Sequence, residues 1–332
     1  ILLAGALVAP ASRVSAQTTE PRKGAGLGIQ LLEAPVSERD DPRARVYVID
    51  HVQAGVSFTR RLGITNDTAN PLHTELYVAP AAIDGGAFIV GARTDKGELA
   101  SWGTIDPTSA DLKSRETRDV TLRITVPKDA PDGEYYGGAV VEGAPQGGGA
   151  VKVAPRVAIR IYLSVGTGSA PKSDFTVSTL RAARAPDGTP TVTATVKNTG
   201  QRALDMSGEL VLDDGPAGLK AGPFAADLGT TLGIGDTEPV RVVLDKKIPN
   251  GPWKAKLTLR SGTIEHAVTA TITFPDAGGD ARVFEARPVK GKTFWGLIAL
   301  LLLLAVLLGL LLWWWRRRTR DDEDEEESAL AR

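Results

Sequence analysis

The stretch Val120 to Tyr135, VTLRITVPKDAPDGEY, contains the pattern that decides the fold class. Apolar and polar residues alternate from Val120 to Val126, as in a β-strand with one buried face. The turn residues Pro131-Asp132-Gly133 follow, and glycine allows the positive φ angle that reverses the chain. Tyr135 begins the next strand, where an aromatic ring can fill the core. The stretch therefore predicts two successive strands packed on a hydrophobic core.

A second copy of this pattern occurs further along the chain. Val240 to Leu244 alternates in the same way and is followed by Pro249-Asn250-Gly251-Pro252 and an aromatic residue, Trp253. Two earlier stretches also match each other: Ile64 to Thr68, ITNDT, and Val196 to Gly200, VKNTG. Because the matching segments occur in the same order, the sequence predicts two copies of one architecture.

The spacing of the predicted strands indicates the kind of architecture. About seven short alternating stretches per copy, separated by Gly, Pro, Asn and Asp, are typical of an immunoglobulin-like sandwich; the last in the first copy is Val157 to Val165. We therefore predict an all-β fold class: two tandem immunoglobulin-like β-sandwich domains, residues 24–166 and 174–275, followed by a single C-terminal transmembrane α-helix.

An insertion distinguishes the first copy from the second. Asn66 and Asn198 are 132 residues apart whereas Gly133 and Gly251 are 118 apart, so the first copy has 14 extra residues, which fall within 79–111. Insertions lie at sheet ends or edges, where binding residues concentrate. Trp102 could stack on a sugar ring while polar neighbours bond its hydroxyls, although the indole could equally fill a gap beneath the loop. The tentative ligand-binding residues are Trp102, Arg93, Asp84 and Glu98.

The composition argues against metal sites, nucleic-acid binding and most kinds of catalysis. The chain has no cysteine, three histidines and a net charge of −1, so disulfides, metal sites and nucleic-acid binding have no support. No nucleophile or phosphate motif is present, and the predictions are no enzyme and no cofactor. A carboxylate hydrolase stays open as an alternative, because Asp84, Asp95, Glu98 and Asp106 share the insertion and could meet in space.

Both ends of the chain suggest export and anchoring. Residues 1–16 are apolar and end in small residues, as in the remnant of a signal peptide. After a juxtamembrane linker, 276–293, the uncharged run 294–315 is long enough to span a bilayer. The predicted location is the cell membrane, single-pass, with the N-terminus outside and residues 316–332 as a cytoplasmic tail. The predicted membrane-interface residues are Trp313, Trp314, Trp315, Arg316, Arg317 and Arg318.

The first copy resembles the peptidoglycan-binding domain of the WxL-interacting protein family of Gram-positive cell-surface proteins. The resemblance covers about residues 26–165. It rests on Gly28 to Leu31, Tyr47, Thr65 to Thr68, Trp102 and, most specifically, Val126 to Gly138, VPKDAPDGEYYGG. The resemblance implies a non-enzymatic protein that binds the cell wall.

Two functions follow as predictions. The first is a membrane-anchored surface protein that attaches to peptidoglycan or another cell-wall glycan through its first sandwich. The alternative is a surface protein-interaction or assembly scaffold that captures a secreted protein by pairing strands along an exposed sheet edge.

Overall fold

A computed structural model shows two β-sandwiches in series. It describes residues 26–145, 154–289, 303 and 306–312. The first sandwich packs a sheet of order β1-β3-β8-β6 against one of order β2-β10-β9-β4, with β5 and β7 both on β4. Its elements are β1 Leu27–Leu31, β2 Val48–Val52, β3 Ser57–Asn66, β4 Leu72–Asp84, β5 Ala87–Val90, α1 Glu98–Trp102, β6 Gly103–Asp106, β7 Ser109–Leu112, β8 Thr117–Thr125, β9 Gly133–Gly143 and β10 Arg156–Val165.

The second sandwich packs a sheet of order β17-β12-β11-β20 against one of order β15-β14-β18-β19-β21. Its strands are β11 Phe175–Arg184, β12 Pro190–Asn198, β13 Leu204–Asp205, β14 Ser207–Asp213, β15 Ala221–Ala225, β16 Thr231–Leu232, β17 Thr237–Val243, β18 Trp253–Ser261, β19 Ile264–Ile272, β20 Arg282–Glu285 and β21 Arg287–Pro288. The range 276–293, predicted to be a linker, thus contributes β20 and β21, which close the side of the sandwich between β11 and β19.

The repeated turn pattern has the same geometry in both sandwiches. Tyr135 is the third residue of β9 and donates from its hydroxyl to the Pro131 carbonyl at 2.7 Å, four residues earlier. Trp253 begins β18 and donates from Nε1 to the Pro249 carbonyl at 2.9 Å, also four residues earlier. In each case the ring packs on the core and its polar atom satisfies the preceding turn. The matching positions in sequence are therefore matching positions in space.

The repeated asparagine is also equivalent in both copies. Asn198 is buried, and its amide nitrogen donates to the carbonyls of Arg202 (2.9 Å), Leu232 (3.3 Å) and Gly233 (2.9 Å). Asn66 is buried too, and bonds three carbonyls in the first sandwich, those of Asn70, Leu112 and Lys113. Each asparagine joins the end of one strand to two loops.

Removing the Asn198 amide should be costly. We expect Asn198→Ala to lower the free energy of unfolding by about 3 kcal/mol, because buried carbonyls and the Gly200 amide lose their partner. Urea unfolding followed by circular dichroism measures the change. Asn250→Ala is the matched control, since Asn250 bonds only the exposed Asp276 through its side chain and should cost less than about 1 kcal/mol. Equal effects of the two substitutions would contradict the assignment.

The two sandwiches dock through a polar, buried interface. Residues 32–47, between β1 and β2, leave the first sandwich and reach the second, where Arg43 donates to the Ala203 carbonyl at 3.1 Å. The Ala203 amide donates to Glu134 at 2.6 Å. Arg160 pairs with Asp205 at 2.6 Å. Burial raises the pKa of Glu134, because the carboxyl is removed from water. These bonds hold the second sandwich against the outer face of the β2-β10-β9-β4 sheet.

The predicted transmembrane helix is not supported. Among the residues that the structure describes, no helix has both the length and the apolar character needed to cross a bilayer. The described residues therefore do not bear out the last element of the predicted fold class or the single-pass location in the cell membrane that depended on it. Most of 294–315, the interface residues 313–318, the signal remnant 1–16 and the tail 316–332 lie outside the described residues.

Candidate functional site

Strand β10 is paired along its whole length on one side and along half of it on the other. Strand β9 pairs with it from Arg156 to Val165. On the opposite side β2 runs parallel to it and covers Ile161 to Val165 alone. Among the described residues, the half of β10 from Arg156 to Arg160 therefore has no neighbouring strand on this side. We call this segment the open half of β10.

The open half exposes main-chain hydrogen-bonding groups. The Pro155 carbonyl accepts from the Gly143 amide at 2.8 Å, on the β9 side. Since successive residues of a strand turn their main-chain groups to opposite sides, those of Arg156 and Ala158 point away from β9. They meet no main-chain partner in the ranges that the structure covers. An edge of this kind is a template for another strand.

Apolar side chains lie beneath the open half. Val157 and Ile159 point into the first core, and Val157 is half-buried. Strand β1 lies next to β10 across the sandwich, and its Ile29 and Leu31 are also half-buried against this core. An added strand would therefore cover apolar surface on its inner face as well as pair its main chain.

Side chains on the outer face hold β10 in place. Arg156 donates to the Tyr77 hydroxyl at 3.2 Å and to the Val90 carbonyl at 3.4 Å, which ties the start of the strand to β4 and β5. Arg160 donates to Asp205 and to Thr231 Oγ1, at 2.6 and 3.1 Å, which ties the middle of the strand to the second sandwich. The open half is thus fixed in an extended conformation before any partner arrives, which reduces the ordering cost of binding.

A buried ion pair lies beside β2. Asp50 and Arg60 contact each other between the two sheets, with 8% and 15% of their side chains exposed. Burial raises the pKa of Asp50 to about 6, although the Arg60 guanidinium opposes the shift. The second carboxylate oxygen of Asp50 and Nε of Arg60 have no hydrogen-bond partner within the described ranges. Ionised Asp50 therefore weakens the fold near neutral pH.

Mild acid should stabilise the protein through Asp50. A carboxyl whose pKa is higher in the folded than in the unfolded chain takes up a proton on folding, so stability rises as the pH falls from 7.5 through 6 towards 4. The full effect is about 3 kcal/mol. We expect the stability difference between the wild type and Asp50→Asn to change by about 2 kcal/mol between pH 7.5 and 4.5 in urea unfolding, because the rest of the effect is titrated below pH 4.5. A constant difference across that range would contradict the assignment.

The four residues predicted from the insertion do not form one site. Trp102 packs on Tyr135 with ring centroids 4.6 Å apart and is half-buried against the first core. Arg93 pairs with Glu75 at 3.0 Å and lies over the Tyr77 ring. Asp84 is exposed at the end of β4, beside the β4–β5 turn. Glu98 is exposed at the start of α1 and lines a groove. Trp102, Arg93 and Asp84 do not line that groove. A role for any of them in ligand binding stays a prediction.

The most specific part of the family resemblance has a packing role. Gly137 faces Leu99 of α1, and a Cβ there would lie 2.8 Å from that side chain. Gly138 faces Val90 of β5, and a Cβ there would lie 2.7 Å from it. The paired glycines thus let α1 and β5 approach β9 from opposite faces.

Comparisons with known proteins identify no family. No protein-family model matches the chain, and no curated protein matches it. Solved structures that resemble it include the YadV chaperone (17% identity, 79% of this chain and 99% of that chain, TM-score 0.37). They also include the Pseudomonas aeruginosa CupB2 chaperone (10% identity, 69% of this chain and 97% of that chain, TM-score 0.37). A third is a chain from the CsuC-CsuE chaperone-tip adhesion subunit complex of Acinetobacter baumannii (17% identity, 70% of this chain and 97% of that chain, TM-score 0.35). At these values the likeness carries no argument about function.

These findings correct the predicted family. Membership of the WxL-interacting protein family is wrong, because no protein-family model matches the chain. The functions that rested on the resemblance are wrong with it: attachment to peptidoglycan or another wall glycan, and a place on a Gram-positive cell surface. Sequence reasoning had predicted strand Val157 to Val165 but not its open half, because alternation reveals a strand without revealing its neighbours.

Proposed function

We propose that this protein is a non-enzymatic binding protein that captures an extended segment of a protein partner by strand pairing along the open half of β10. The observation that carries the proposal is the pairing of β10, complete on the β9 side and confined to Ile161–Val165 on the β2 side. Main-chain hydrogen bonds would supply affinity, and the apolar inner face would select alternating apolar side chains.

The edge strands of the second sandwich are less suited to capture. Strand β15 contains Pro223 and β17 contains Pro239, and proline removes an amide donor from the edge. Strands β20 and β21 have four and two residues, too few for a long register. The open half of β10 contains no proline and has five residues, RVAIR, in extended conformation. We assign this edge to the partner because it combines unpaired main chain with an apolar inner face.

The partner is a different protein rather than a second copy of this chain. Two copies pairing antiparallel about Ala158 would place Arg156 opposite Arg160 of the other copy, and like charges directly opposite are destabilising. One of the similar solved structures is a complex of a chaperone with a tip adhesion subunit, and a secreted protein subunit is the kind of partner that we propose here.

Site-specific crosslinking tests the proposal. A photoreactive benzoyl-phenylalanine at position 158 of the full chain, produced in its own host, should give a covalent adduct with a polypeptide after irradiation. Arg123 is the control position, because it is exposed but has strands on both sides, with Thr59 and Thr104 as its neighbours. Adducts of equal yield at positions 158 and 123, or none at 158, would refute capture at the open half.

A further inference from the structure

The β4–β5 hairpin reaches from the first sandwich to the second. It belongs to the insertion that distinguishes the first copy, and it extends beyond the point where β4 separates from β9. The chain reverses at Gly85 and Gly86, whose φ angles are both positive, as a two-residue hairpin turn requires. At this turn the Gly86 carbonyl accepts from the amide of Thr231 in β16 at 2.8 Å. The tip of the hairpin therefore binds the second sandwich.

The two faces of the hairpin have different surroundings. Ile83 and Phe88 are cross-strand neighbours on one face. Both are half-buried against an apolar cluster that contains Tyr162 of the first sandwich and Ala203 of the second. Ile89 follows Phe88 on the same strand and is 51% exposed. Because successive residues of a strand point to opposite faces, the hairpin buries one face at the interface between the sandwiches and leaves the other in solvent.

Phe88 makes several ring contacts on the buried face. Its centroid lies 5.0 Å from that of Tyr162 in β10 and 6.1 Å from that of Tyr136 in β9. The Arg160 guanidinium lies 5.1 Å from the Phe88 centroid and 5.3 Å from that of Tyr47. Aromatic pairs and cation–π contacts of this kind add to the free energy gained by burial. Phe88 therefore holds the hairpin on the outer face of β9 and β10.

Thr231 connects the tip of the hairpin to the open half of β10. Thr231 is buried, and its amide bonds the Gly86 carbonyl. Its hydroxyl donates to Asp205 at 2.8 Å and accepts from Arg160 at 3.1 Å. Arg160 is the last residue of the open half. The hairpin and the open half are thus bound to the same residue of the second sandwich.

We propose that the β4–β5 hairpin is a strap that locks the second sandwich onto the first. With the strap in place, the two sandwiches keep one relative orientation and Arg160 keeps its partners. The strap is defined by contacts within this chain and does not depend on the proposed function. Its consequence for capture rests on that function: the strap holds the open half of β10 in the conformation that a partner strand would join.

Distances between spin labels on the two sandwiches test the strap. The chain has no cysteine, so Arg123→Cys in β8 and Lys256→Cys in β18, both exposed, supply two unique labelling sites in the full chain. Double electron–electron resonance should give a narrow distance distribution when the strap is intact. Phe88→Lys should make the distribution at least about two-fold broader, because an ammonium group is repelled by Arg160 and is costly to bury.

Ile89→Lys is the matched control for this measurement. It places the same charge on the next residue of the same strand, on the solvent face, and should leave the distance distribution unchanged. Phe88→Ala removes the ring without adding a charge, and it should broaden the distribution while keeping the circular dichroism spectrum of the wild type. Distributions that stay narrow in both Phe88 variants would overturn the strap, and so would equal broadening by Ile89→Lys.

Photocrosslinking from position 158 separates the strap from the proposed function. Phe88→Ala should lower the yield of the adduct at least about three-fold, because the open half loses part of its preorganisation. If the wild type gives no adduct, capture is refuted and the spin-label distances alone still decide the strap. If the distances broaden in Phe88→Ala but the yield stays at the wild-type value, the role of the strap in capture is refuted.

Discussion

Ala158→Pro is expected to weaken partner capture at least about thirty-fold while leaving the fold intact. The substitution removes an amide that faces the open side of β10, and the proline ring blocks the approach of another strand. Loss of two to three main-chain hydrogen bonds at roughly 1 kcal/mol each accounts for the size of the effect. The yield of the position-specific adduct, or the affinity for the isolated partner, measures it.

The control for this substitution keeps the donor. Ala158→Ser retains the amide and adds one exposed hydroxyl, and it should bind as the wild type does. Because the main-chain groups of Ala158 face away from β9 and bond no other main-chain group in the described ranges, proline there should lower the free energy of unfolding by less than about 1 kcal/mol. Two results would refute the assignment: capture unaffected by proline, or capture lost together with the fold.

Asp205→Ala is expected to lower the free energy of unfolding by about 3 to 5 kcal/mol. Asp205 accepts from Arg160 at 2.6 Å, from the Tyr162 hydroxyl at 2.8 Å and from Thr231 at 2.8 Å. The Arg160–Asp205 pair is largely buried, with 24% and 15% of the side chains exposed. Removing the carboxylate leaves a buried guanidinium without its counter-charge, which costs more than the pair itself contributes.

Two measurements check this expectation. Urea unfolding gives the loss of stability, and small-angle scattering should show a larger radius of gyration if the sandwiches separate before they unfold. Asp213→Ala is the control, because Asp213 is 37% exposed and pairs with Lys220 at 3.5 Å, a contact worth less than about 1 kcal/mol. A loss of under about 1 kcal/mol for Asp205→Ala would mean that this contact does not hold the two sandwiches together.

Local sequence patterns predicted the strands and turns well. The alternation in Val120 to Val126 became β8, and the following turn placed Tyr135 at the start of β9. Both depend on interactions within a few residues, such as the bond from the Tyr135 hydroxyl to Pro131, so a short window contains the information. The repeat was predictable for the same reason, since Asn66 and Asn198 act on neighbouring loops in the same way.

The candidate site was not predictable in this way. The open half of β10 exists because β2 stops covering it at Ile161, and Ile161 pairs with Val48, 113 residues earlier. Residues 32–47, which leave the first sandwich to contact the second, determine where β2 begins. The predicted family failed for a related reason, because Val126 to Gly138 was interpreted from its own residues alone. In the structure, Gly137 and Gly138 serve contacts with Leu99 and Val90, which are distant in sequence.

The sequence by itself determined which segments become the longer strands, where the main turns lie and that two copies of one sandwich follow each other. These properties come from hydrophobic periodicity and from the backbone preferences of glycine and proline, which act over a few residues. Only the tertiary structure decided which strand edges stay unpaired and where β4 separates from β9. Strand pairing joins residues that are far apart in the chain, and alternation does not specify which strands become neighbours.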